Sequence, residues 1–132
     1  MGYHPAVGPR VLLVEDSSTT RSFVATALED AGIVDVTQVA SGFAALQALP
    51  GGRFDLVITD VNMPDITGLE LIRFMRASAA LKHVPLIVIS TEGRERDRER
   101  CLSLGANSYL VKPFTPGALV EAVRRHLPGQ AP

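Results

Sequence analysis

Five side chains suited to chemistry stand at the ends of short apolar runs. Glu15 and Asp16 follow V-L-L-V, Asp60 follows L-V-I-T, Ser90 follows L-I-V-I, and Lys112 follows Y-L-V. Runs of this kind read as buried parallel strands, and residues just past the carboxyl ends of such strands face one crevice. Three carboxylates gathered there repel one another and raise at least one pKa, so the group calls for a cation. Its donors are all oxygen, with no His or Cys near them in sequence, which points to a hard divalent ion, most naturally Mg2+ keeping several waters. Lys112 adds a point charge and Ser90 a hydroxyl. That set suits a phosphoryl group neutralised by metal on one side and ammonium on the other, with Asp60 as the nucleophile that becomes an aspartyl phosphate. Behind Asp60, Pro64 fixes φ and Gly68 permits a tight entry into the next helix, so the carboxylate is expected on a stiff loop from which Asn62 can turn its backbone carbonyl outward.

To bring these ends together the chain must alternate strand and helix. Residues 11–14, 33–39, 54–59, 85–90 and 109–111 read as five strands, the second weaker and edge-like because polar residues separate Val34, Val36 and Val39. Asp16 or Ser17 can cap a first helix with an apolar face of Phe23, Val24, Ala27, Leu28 and Ala31, stopped by Gly32. Ser41 caps a short helix through Leu49, ended by Pro50-Gly51-Gly52. Residues 68–77 form a third, with Leu69, Ile72, Phe74 and Met75 inward. Residues 94–100 set opposite charges three apart at 94/97, 95/98, 96/99 and 97/100, as on a solvated helix face, and Gly105 closes that helix. Thr115-Pro116 caps the last helix, which runs to Leu127. Such alternation predicts an α/β fold: a doubly wound five-stranded parallel sheet with five helices on both faces.

At 132 residues and 46% hydrophobic, the chain fits one domain with a real core. Residues 10–127 are expected to form it, with an arm at 1–9 and a tail or the start of a linker at 128–132. A net charge of −1 supplies no basic field, so nucleic-acid binding by this chain alone is not expected. Cys101 is the sole cysteine, which excludes an internal disulfide and reads as a packed small side chain. The longest apolar run, residues 84–89, is far short of the ~18 residues that span a membrane. No signal-peptide pattern opens the chain, and Ala6 stands where myristoylation prefers Ser or Thr, so a cytoplasmic location is expected. His4, His83 and His126 are scattered and read as surface residues, His126 well placed as a cation at a helix end.

V-E-D at 14–16, D-V-N-M-P at 60–64, S-T-E at 90–92 and Y-L-V-K-P-F at 109–114 carry a resemblance. With spacings of 44, 30 and 22 residues from Asp16 to Asp60 to Ser90 to Lys112, the chain is similar to receiver domains of two-component response regulators, the chemotaxis type in particular. The resemblance implies a flavodoxin-like strand order 2-1-3-4-5. It implies that Asp60 accepts phosphate from a phosphohistidine on a sensor histidine kinase or phosphotransfer protein, and that the protein catalyses only its own phosphoryl transfer and autodephosphorylation. Asp16 would ligate Mg2+ directly, Glu15 through water and Asn62 through its backbone carbonyl. Ser90 would hydrogen-bond the phosphoryl group, Lys112 would pair with it, and Tyr109 would swing inward on activation. A downstream protein would then be met on the face of the charged helix and last strand. Glu15 stands where Asp is usual in the family, and Thr91 where a smaller residue is commoner. Asn62 and Glu92, two beyond Asp60 and Ser90, flank the path of an attacking water and, with Thr91, would set the lifetime of the phosphoprotein. Two rival readings remain at this point: a receiver-like binding module that takes no phosphate, and an aspartyl-phosphate phosphatase, whose D-x-D motif is broken here by Asn62.

Overall fold

The computed structural model describes residues 8–127. The expected arm and tail fall outside them, apart from Gly8 and Pro9, as does His4. Within them strand and helix alternate throughout: β1 (Arg10–Val14), α1 (Ser18–Asp30), β2 (Asp35–Val39), α2 (Gly42–Gly52), β3 (Leu56–Asp60), α3 (Gly68–Ala77), β4 (Leu86–Ser90), α4 (Glu95–Leu104), β5 (Ser108–Val111) and α5 (Pro116–His126). All strand pairs are parallel, in the order β2-β1-β3-β4-β5. The order reverses between β1 and β3, which is where an open α/β sheet leaves a crevice at its carboxyl edge. Among the described residues no helix is long and apolar enough to cross a membrane.

The strands bury both faces, and their side chains divide with a period of two. Leu12, Val14, Val57, Leu86 and Val88 pack on one side with Ala45 and Leu49 of α2, Leu71, Ile72 and Met75 of α3, and Cys101 of α4. Val11, Leu13, Leu56, Ile58, Ile87 and Ile89 pack on the other side with Val24, Ala27 and Leu28 of α1 and Leu119, Ala122 and Val123 of α5. Double coverage is why β3 and β4 read as unbroken apolar runs. β2, paired on one side only, has no fully buried position, as suits an edge.

Several local expectations are corrected. On α3 the buried positions are 68, 71, 72 and 75, so the inward stripe runs through Leu71, and Phe74, 40% exposed, faces outward. A helix turns about 100° per residue, and Phe74 falls well off that stripe. Phe23 is likewise 40% exposed. It sits at the margin of the stripe formed by Val24, Ala27 and Leu28, with its ring 5.9 Å from that of Phe114. α2 does not end at Leu49: it continues through Pro50 to Gly52, and Arg53 at φ 53° terminates it. The proline ring fixes a φ that a helix accepts, and in the last turn its missing N–H forfeits one bond only. On α4 the 94/97 and 95/98 pairs form at 3.0 and 3.2 Å, while 96/99 and 97/100 are not among the ion pairs of the described residues. His126 is half-buried and not a free surface residue. Its Nε2 lies 2.8 Å from Ser108 Oγ, and burial, then the neighbouring Arg125, pushes its pKa down.

Candidate functional site

Register decides which side chains meet at the carboxyl edge of the sheet. Val14 pairs with Thr59, Asp60 with Ile89, and Ser90 with Val111, so Glu15 lies level with Asp60, and Ser90 and Lys112 each project from the same rim. Asp60 is the last residue of β3 and not part of the loop after it, which seats its carboxylate on the sheet itself. The Lys112 amide donates to the Ser90 carbonyl at 2.7 Å, extending the ladder one step past β5.

Glu15 is held from every side. Its amide donates to Val39 O at 3.0 Å, and its carbonyl accepts from Arg21 Nη1 at 2.7 Å. Its carboxylate, fully buried, accepts from the Ser17 amide at 3.0 Å and from Lys112 Nζ at 2.9 Å. Asp60 is 5% exposed. Its Oδ1 accepts from the Val61 amide at 2.9 Å and lies 3.5 Å from Lys112 Nζ. Asp16 is exposed at the mouth, and one oxygen from each of the three carboxylates falls within 4.8 Å of the others. Burial pushes the pKa of both Glu15 and Asp60 up, and Lys112 offsets part of that in each.

One ammonium thus stands against Glu15 and Asp60, with Asp16 as a third carboxylate close by. The surplus negative charge, the all-oxygen donor set and the close spacing fit a hard divalent cation. Lys112, expected to pair with a phosphoryl group, is shared here between Glu15 and Asp60.

Ser90 and Tyr109 grip the same residue. Ser90 Oγ, fully buried, accepts from the Glu92 amide at 3.0 Å, and the Tyr109 hydroxyl donates to the Glu92 carbonyl at 2.6 Å. Asn62, Ser90, Glu92 and Tyr109 line one hollow beside Asp60, and the Tyr109 ring is half-buried there. Thr91 is exposed and lies on the other side. It lines a largely apolar cleft of about 430 Å³ with Thr19, Phe23, Lys112, Pro113 and Phe114.

Three contributors were not singled out in the sequence. Thr59 Oγ1 donates to Asp60 O at 2.9 Å, Arg21 reaches back to Glu15, and Asp65 in the β3–α3 loop accepts from two amides of α2. Arg21 and Asp65 act across folded neighbours, and no local pattern marks either of them. Thr59 carried one signal: a hydroxyl inside an otherwise apolar strand needs a partner.

Comparison with known proteins agrees with this geometry. The model of the response regulator receiver domain matches residues 11–124. Chemotaxis protein CheY of Pseudomonas aeruginosa is 36% identical over 116 residues, covering 88% of this chain and 94% of that protein. Chemotaxis protein CheY1 of Helicobacter pylori is 38% identical over 113 residues, 85% of this chain and 91% of its own. Among solved structures, Vibrio cholerae CheY4 aligns with a TM-score of 0.85 at 36% identity, covering 92% of this chain and all of that one. The receiver domain of sensor histidine kinase PA1611 from P. aeruginosa, with a magnesium ion coordinated in its active site cleft, aligns at 0.83 with 32% identity, covering 91% and 98%. A family match across most of the described residues, on a sheet whose switch point carries the acidic rim, establishes that this chain belongs to the receiver domains of response regulators and is a CheY-like protein of two-component signalling.

Proposed function

We propose that this chain accepts a phosphoryl group on Asp60, from a phosphohistidine of a sensor histidine kinase or phosphotransfer protein, with Mg2+ held by Asp16, Asp60, the Asn62 carbonyl and, through water, Glu15. The observation that carries this reading is the buried Asp60 carboxylate set among two further carboxylates and one ammonium. Bound Mg2+ supplies neutralisation of phosphoryl oxygens. Asp60 Oδ forms the new P–O bond as the P–N bond to the donor imidazole breaks, and that imidazole, already protonated from solvent at its other ring nitrogen, leaves as the neutral base. Lys112 is already beside Asp60 Oδ1, so a small movement takes its ammonium to a phosphoryl oxygen. Incubation with Mg2+ and acetyl phosphate is expected to add one phosphate, read by intact mass spectrometry. A protein that gains none under these conditions defeats the proposal.

The switch follows from the shared grip on Glu92. Ser90 Oγ must turn toward the phosphoryl group, and in doing so it releases the N–H of Glu92, the residue whose carbonyl anchors Tyr109. The message then leaves on the face of α4 and β5, where a downstream protein docks. Moving a two-state equilibrium from 1:99 to 99:1 takes ~5.5 kcal/mol of differential binding. One hydroxyl bond to a charged group contributes ~1.5 to 3 kcal/mol, so Lys112 and the loop share the work. Ser90→Ala is therefore expected to take phosphate yet lose most of the shift at Tyr109 that beryllofluoride with Mg2+ induces in NMR spectra. An undiminished shift would break the coupling.

Thr91 guards the entrance. Its β-branched side chain is stiff at χ1 and lines the apolar cleft together with Lys112, where it narrows the way in for donor and water. Asn62 and Glu92 flank the hollow on the opposite side and orient the attacking water. Thr91→Ala is expected to speed both phosphorylation by small donors and phosphate release, with little change in stability because Thr91 is exposed. Phosphate release from purified phosphoprotein at an equal or slower rate would show that Thr91 does not gate the site.

A further inference from the structure

The loop that carries Asn62 has a fastening outside the acidic rim. Asp65 Oδ2 accepts from the Phe43 amide at 2.9 Å and its Oδ1 from the Gly42 amide at 3.3 Å. Both amides belong to the first turn of α2, where backbone N–H groups have no partner within the helix. Ser41, the N-cap residue, satisfies the Ala44 amide at 3.0 Å, so Asp65 supplies from a distance what the cap leaves over. The approach is close: a Cβ added at Gly42 would lie 2.6 Å from the Ile66 carbonyl. At its far end the loop is closed by the Gly68 amide donating to Val61 O at 2.8 Å, and near its start Met63 is buried.

We infer that Asp65 is a positioning residue for the metal site, its carboxylate clamping the β3–α3 loop onto the amino terminus of α2 so that the Asn62 carbonyl is held at the acidic rim. The inference rests on the metal-dependent reading above. A carboxylate at a helix amino terminus makes charge-assisted bonds to backbone amides and is favoured by the helix dipole, so the clamp is strong for an exposed contact. The Phe43 amide of α2 first, then the Ile66 amide of the loop, keeps the Asp65 carboxyl below the usual range, and the clamp is charged at neutral pH. Groups that orient a ligand from behind typically cost 10- to 100-fold in metal affinity when removed.

Isothermal titration with Mg2+ alone tests this on wild type, Asp65→Ala, Asp65→Asn and Ser41→Ala. Asp65→Ala is expected to weaken Mg2+ binding about tenfold. Asp65→Asn should recover most of the loss, since its amide oxygen still accepts from Phe43. Ser41→Ala removes a different bond from the same helix end, so it should lower the melting temperature while leaving Mg2+ affinity at the wild-type value. Wild-type affinity in Asp65→Ala, or equal weakening in Ser41→Ala, overturns the inference. If Asp65→Ala does not fold, Asp65→Ser serves in its place, with intermediate weakening expected and unchanged affinity overturning the inference. A wild type that binds no Mg2+ defeats the underlying reading and this inference together, whereas a binding wild type with an unaffected Asp65→Ala defeats this inference alone.

Discussion

Lys112→Ala is expected to cost the metal-free protein about 3 kcal/mol of folding stability at pH 7, the scale seen when one partner of a buried ion pair is removed. The Lys112 side chain is 17% exposed and its ammonium lies 2.9 Å from Glu15 and 3.5 Å from Asp60, both buried. Without it two desolvated carboxylates face each other with no cation. They can neutralise only by taking protons, so the loss should shrink as pH falls. Mg2+ should restore part of it by supplying positive charge at the same rim. Urea unfolding with and without Mg2+ measures both effects. A loss below about 1 kcal/mol, the scale of an exposed pair, would show that Lys112 does not hold the rim together.

Asp60→Asn has the opposite sign in the same assay. Removing the charge at Asp60 ends the cost of burying it and, to a lesser degree, its repulsion with Glu15, whose bond to Lys112 remains. Metal-free stability is expected to rise by about 1 kcal/mol, the scale of a single substitution, or roughly 5 °C in melting temperature. In the wild type the folded pKa values of Glu15 and Asp60 lie above their unfolded ones. Protonation therefore favours the fold: the contribution is fully present below the unfolded range near ~4 and is lost as pH rises through the raised folded values. Mild acidification from neutral should stabilise metal-free wild type, and Asp60→Asn should show less of this gain. The variant should also lose most of the Mg2+-dependent rise in melting temperature, which for wild type follows RT ln(1 + [Mg2+]/Kd). A destabilised variant, or one that keeps the full Mg2+ response, would contradict the assignment of Asp60 to the rim.

The convergence of the rim was legible because each side chain sits next to a strand end, and parallel strands share a direction. Glu15, Asp60, Ser90 and Lys112 needed only the order of elements to be placed together. Strand order was legible only through family resemblance, since continuous apolar runs say that β3 and β4 are central without saying which neighbours they take. Periodicity failed for two large apolar residues: Phe74 looks like core and faces outward, and Phe23 lies only at the margin of its stripe. Pro50 looked like a terminator, yet a proline in the last turn disturbs little. Asp65 and Arg21 were illegible for another reason. Their partners lie in backbone groups of α2 and of the β1–α1 turn, and a backbone amide or carbonyl leaves no mark in a sequence. Lys112 shows the same limit for charge, because which anion it serves depends on what occupies the rim.

The central claim is that Asp60, and no other carboxylate, takes the phosphoryl group. Sodium borohydride reduces an aspartyl phosphate to homoserine, so treating the acetyl-phosphate-reacted protein with borohydride and mapping its peptides by mass spectrometry locates the acceptor. Homoserine at position 60, formed only when Mg2+ is present, is the predicted result; homoserine at Asp16 or elsewhere, or none at all in a protein that has gained phosphate, would contradict it.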